Sequence, residues 1–272
     1  FLIITTRNTI QVFATADSLL TRSIPLKLDS CPTVFHQIVT TCLSPIMSNI
    51  LWVASSNGFI WRIDWTTGAG ADSYWTVSST GCLHMTVSTI ESLGRQRDVI
   101  FTTEARKDGG FRITANELAD PNGPIAIAAR TIYTCTEQIQ ILKAAKDGCV
   151  IIGAAGKKVL VGRLRSADFD TVDKIKYEFR TIESKEYITS LDIRVFKRNE
   201  LKIGTKNKTD KIQNVVDLVL GNIKGVILFH ENIAGKLFSK SQNQQSPSSI
   251  DFVPSKLHWH RQRVNSVKIS LD

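Results

Sequence analysis

The chain has 272 residues, 42% of them apolar, and a formal net charge of +9. That composition can fill a core, and no run approaches the ~18 consecutive apolar residues of a membrane-spanning helix. Length alone does not force a division into domains, because all-β barrels and propellers reach this size as one unit. Five cysteines stand at 31, 42, 82, 135 and 149. The odd number and the absence of any CxxC pair argue against a disulfide framework and a zinc ribbon, and point to a reduced compartment.

The elements expected from pattern are strands throughout. The chain opens inside an apolar run, "FLIITTRNTIQVFAT", which reads as strand, polar turn, alternating strand. No basic region or cleavage pattern precedes Phe1, so no secretory leader is visible and the natural start is expected upstream. A more polar strand, "LLTRSIPL", follows. Next come "FHQIVTTCL", the pair "ILWVASSNGFIWRID" and the polar "SYWTVSS". The order then recurs: "CLHMTVSTI" before "DVIFTTEARKDGGFRITA", "IQILKAA" before "CVIIGAAGKKVLVGRL", and "KIKYEFRTI" after it. Finally "YITSLDIRV" leads to "VVDLVLGNIKGVILFHE", and "VNSVKIS" stands near the end. Asn57-Gly58, Gly109-Gly110 and Gly156 supply the positive φ that tight hairpin turns need. No long stretch shows a helical period.

The second strands of the pairs align at Ile10, Phe59, Phe111, Val159 and Val226, spaced 49, 52, 48 and 67 residues apart. A period of this size marks a repeat architecture. Each unit holds four strands, apolar first and polar last. The expected fold is therefore all-β: a propeller of four-stranded antiparallel blades over residues 1–272, about five blades plus part of another, incomplete at both ends. A low-complexity polar loop is expected over 240–256.

Charge is uneven along the chain. Residues 1–145 carry 11 basic and 11 acidic side chains, so the whole excess follows them. Part of it lies in "KRNELKIGTKNKTDK", residues 197–211, which accounts for most of the long final repeat step. This stretch reads as a loop insertion. It is either a solvated insertion or a contact for an RNA backbone through Lys197, Arg198, Lys202, Lys206, Lys208 and Lys211.

Catalytic signatures are missing. There is no G-x-S-x-G elbow, P-loop, H-E-x-x-H or dinucleotide fingerprint. "GAAGKK" at 153–158 sits between two strands and reads as a hairpin turn; "DKIKYEF" at 173–179 reads as an outer strand. His258 and His260 could share a face of an extended segment, but no Cys, Asp or Glu is spaced to complete a zinc set. His36, His84 and His230 lie in or beside strand-like runs, where a core or rim role is ordinary. No metal and no cofactor is expected.

The segment "HRQRVNSVKISLD" resembles the start of a WD repeat, in which a Gly-His turn precedes an alternating strand ending at Asp. Trp259 stands where Gly is usual, His260 where the His is usual, and Asp272 at the turn. The resemblance implies a structural role for these three residues. The closing "LHWH…VNS…S" and the opening "RNTIQVFATADSLLTRSI" further resemble the nucleolar WD-repeat subunit of the UtpA (t-Utp) subcomplex, part of the small-subunit processome. That family implies a non-catalytic scaffold in the nucleolus of the nucleus. It further implies other propeller subunits and pre-ribosomal RNA near the 5′ external transcribed spacer as partners. Roles in pre-rRNA transcription and 18S rRNA processing follow from it, without a small-molecule substrate or a membrane. The rivals are a WD-repeat adaptor of a ubiquitin ligase or vesicle coat, and a propeller enzyme. An enzyme would need carboxylates or metal ligands converging on one mouth.

Overall fold

The computed structural model describes residues 1–6, 8–26, 37–92, 95–118, 127–165, 175–199, 212–238, 254–258 and 262–269. They fall into two compact units: 1–142 with 146–148 and 164–177, and 143–145 with 149–163 and 178–272.

In the first unit, β1 (Leu2–Thr5), β2 (Thr9–Phe13) and β3 (Leu20–Pro25) form a three-stranded sheet. A second sheet runs β4 (Ile38–Leu43), β5 (Ile50–Ser55), β6 (Phe59–Asp64), β7 (Tyr74–Thr76) in sequence order. A third runs β8 (His84–Ser92), β9 (Arg95–Ala105), β10 (Phe111–Leu118), β11 (Ile127–Cys135). Each is an antiparallel meander, as short hairpin turns dictate. At the β5–β6 turn Gly58 has φ 83, and a Cβ there would lie 2.2 Å from the Ser78 carbonyl oxygen. Only glycine fits.

Because side chains alternate across a strand, each sheet offers two faces. Ile10, Val12 and Ile24 of the first sheet pack with Leu51, Val53, Trp61 and Ile63 of the second. The opposite face of the second sheet, with Ile50, Trp52, Ala54, Ile60 and Trp75, packs on Met85, Val87 and Ile100 of the third. Each large side chain buried this way contributes roughly 1.5–3 kcal/mol. Among the described residues the first sheet is covered on one face. Leu2, Phe13 and Leu20 are register partners across its other face. There Leu2 is 53% exposed, Leu20 50% and Ile4 42%. No described strand lies beyond β1.

A fourth sheet runs β12 (Ile141–Ala144), β13 (Val150–Ala155), β14 (Lys158–Leu164), β15 (Tyr177–Glu183). Its middle hairpin belongs to the second unit, and β13 is buried at every position. The fifth sheet is β16 (Ile188–Asn199), β17 (Ile212–Asn222), β18 (Val226–His230), β19 (Ser255–His258). Here β16 and β17 are about twice as long as β4, β5 and β13 and comparable to β8 and β9, and β18 pairs with β17 over Leu218–Gly221. The rest is a two-stranded ribbon. A short helix, α1 (Ile233–Phe238), packs against β17 and buries Ile233, Ala234, Leu237 and Phe238.

The paired strands lie where the repeat predicts them, and Gly58, Gly109, Gly110 and Gly156 all have positive φ. Three expectations change. "VNSVKIS" forms no strand over its described residues. Instead Val264 N donates to the Asn222 carbonyl (3.1 Å), while the Val264 carbonyl accepts from the Thr189 hydroxyl (2.6 Å). One backbone bond and the Thr189 and Asp192 side chains hold the segment where a ladder would otherwise be. The expected loop at 197–211 begins later, because Lys197 and Arg198 continue the β16 ladder opposite Asn214 and Gln213. Likewise the polar loop at 240–256 gives way at Ser255 to β19. The rest of both loops lies outside the described residues.

Candidate functional site

A propeller enzyme needs acids free to act, so the buried carboxylates decide first. Glu104 in β9 has a side chain 0% exposed. It accepts from Arg112 Nε and Nη2 (3.1 and 2.8 Å) and from the Thr102 hydroxyl (3.0 Å). Asn116 Nδ2 donates in turn to that hydroxyl at 3.1 Å. Arg112 stands opposite Glu104 in the β9–β10 register, and Thr102 is two residues along the same face. Strand alternation therefore assembles the network. At the other end of this face Asp98 accepts from Trp52 Nε1 at 2.9 Å.

The second unit repeats the device. Asp217 accepts from Arg194 Nη2 (2.9 Å) and the Asn232 amide (3.0 Å). Asp192 accepts from the Ile269 amide at 3.0 Å, with Lys268 Nζ at 3.7 Å. These carboxylates join strands or seat a segment. A charge buried with a partner and further hydrogen bonds is tolerable; one without is not.

His84, His230 and Cys82 are held in their neutral forms by burial. Burial lowers the pKa of His84. Burial, with Lys236 nearby, lowers that of His230 to about 4. Burial first, and Glu104 second, push the Cys82 thiol up to about 12. A thiol held protonated is a poor nucleophile and a poor metal ligand. Among the described residues no three His, Cys, Asp or Glu side chains come together as a metal site. No helix among them is long and apolar enough to cross a membrane.

Of the expected phosphate contacts, Lys197 and Arg198 lie on the β16 ribbon. Lys202, Lys206, Lys208 and Lys211 fall outside the described residues, as do Trp259, His260 and Asp272 of the expected turn. His258 is the last residue of β19, its backbone opposite Val226.

The structure adds a basic cluster that sequence pattern does not reveal. Arg163 of β14 and Arg180 of β15 both stack on the Phe238 ring, their guanidinium carbons 4.5 and 5.2 Å from its centre. Arg180 Nη1 donates to the Leu237 carbonyl at 2.6 Å, capping the end of α1. Both arginines share Glu178, at 3.5 and 3.4 Å. Glu178 and Arg180 fall two apart on an outer strand, a visible signal of a charged face. Phe238 comes from a distant helix, and nothing local announces it.

No protein-family model and no curated protein matches the sequence. Among solved structures 376 chains match. One is BBS1N, determined in complex with ARL6DN: TM-score 0.51 and 11% identity, over 85% of this chain and 60% of that one. The fold is a β-propeller of four-stranded blades. The chain spans less than two thirds of that neighbour's length. A fold shared this widely does not choose a function.

Proposed function

We propose that this propeller is a non-catalytic scaffold of ribosome biogenesis, a component of the small-subunit processome that supports pre-rRNA transcription and 18S rRNA processing. It acts in the nucleolus beside other propeller subunits of the UtpA complex. The observation that carries the scaffold reading is the fate of the buried acids. Glu104, Asp217 and Asp192 are each consumed by an arginine, a backbone amide or both. None is left poised in the way an acid or base catalyst requires. Placement in the processome is supported by the likeness of both chain ends to the UtpA subunit. RNA contact is supported by the basic excess after residue 145 and the stretch at 197–211.

Affinity purification from cells tests this. Pre-ribosomal RNA and other processome propellers should co-purify, and the tagged chain should sit in the nucleolus. Recovery of a coat or ligase complex without nucleolar RNA would replace this reading with the adaptor one. One observation favours that second reading: a similar propeller, BBS1N, was solved with a protein partner, ARL6DN.

A further inference from the structure

We infer that Arg163 and Arg180, stacked on Phe238, form a phosphate-binding pair for an RNA backbone on the second unit. This rests on the RNA reading above and gives it a built surface distinct from the 197–211 stretch.

The argument starts from the guanidinium. It carries five N–H donors in a rigid plane and suits phosphate bidentately. Arg163 makes one ion pair among the described residues, at 3.5 Å from Glu178, and its side chain is 42% exposed. Its side chain is therefore partly open to solvent. The ring of Phe238, itself buried, fixes the plane from behind at 4.5 Å. Stacking of this kind removes conformational freedom before a ligand arrives. Arg180 is held from two sides, by the Leu237 carbonyl and Glu178, yet is 39% exposed. Two cations thus share one carboxylate, which leaves the cluster with net positive charge. Two oriented cations over one aromatic plate offer phosphate oxygens a place to bind without base recognition.

The test is fluorescence anisotropy with a labelled uridine-rich single-stranded RNA, across a salt series. Arg163→Gln should bind several-fold more weakly at low salt. The slope of log affinity against log salt should become shallower by about 0.7 for each single-strand phosphate that is no longer neutralised. Arg163→Lys should recover most of the slope and less of the affinity, because the charge returns without the fork. Glu178→Gln, which removes the shared acid, should tighten binding. Arg163→Gln should lower the unfolding temperature by only a few degrees, and remain folded at the assay temperature, which excludes unfolding as the cause of weaker binding.

Unchanged affinity and slope in Arg163→Gln would overturn the inference. If neutralising Lys202, Lys206, Lys208 and Lys211 weakens binding while Arg163→Gln does not, RNA contact stands and the arginine pair alone fails. A parent protein that shows no salt-dependent RNA binding overturns both. Poly-glutamate binding as tightly as RNA would make this a face for an acidic protein and overturn the RNA assignment.

Discussion

Glu104 and Arg112 are partners with unequal exposure, and the inequality predicts unequal mutants. Arg112→Ala leaves a fully enclosed carboxylate with, among the described residues, Thr102 to answer it, and should cost about 3 kcal/mol. Glu104→Gln frees an arginine that already reaches solvent, and should cost about 1–2 kcal/mol. Urea unfolding checks this, with the midpoint moving and the denaturant slope constant. His230 gives a pH prediction. Its folded pKa is about 4, below the ordinary 6.5. Above 6.5 both folded and unfolded imidazoles are neutral, so the group contributes nothing to pH dependence. As pH falls from 6.5 to 4 the unfolded chain takes up the proton and the folded one does not, so stability is lost across that window. His230→Leu should flatten the loss of melting temperature between those pH values, leaving the contribution of His84, whose pKa burial also lowers.

At the scale of elements, Gly221 of β17 is where a sheet meets a strand-free segment. A Cβ there would lie 2.4 Å from Ser190 Oγ and 2.6 Å from Val264 Cγ1. Gly221→Val should unseat residues 262–269, and limited proteolysis should then cut there faster than in the parent. The paired inner strands are legible in the sequence because both their faces are buried, which demands continuous β-branched runs such as "ILWVAS" and "CVIIGAA". Outer strands carry less of that demand. β11, "IAARTIYTC", breaks alternation with Ala-Ala-Arg, and β19 has four residues; neither stands out by pattern. α1 escapes notice because six residues cannot display a period. Its start is nonetheless signed: Asn232 accepts from the Gly235 amide at 3.3 Å, a side-chain cap, ahead of Ile233, Ala234, Leu237 and Phe238. Of the candidate site, the basic bias is visible along the chain. The Arg163–Phe238 stack is not, since it joins residues 75 apart through two different blades.

Over the whole molecule, the repeat steps near fifty residues correspond to one meander each. The long step corresponds to the β16–β17 ribbon with the stretch that joins its strands. Among the described residues the second sheet is packed on both faces and the first on one. Leu2, Ile4 and Leu20 therefore meet water on a surface made like an interior, beside a strand with no described neighbour along one edge. Ile4→Lys should lower light scattering at high protein concentration and leave the melting temperature nearly unchanged, because it blunts an edge without touching the packed face. Storage life of the purified protein should accordingly shorten as its concentration rises.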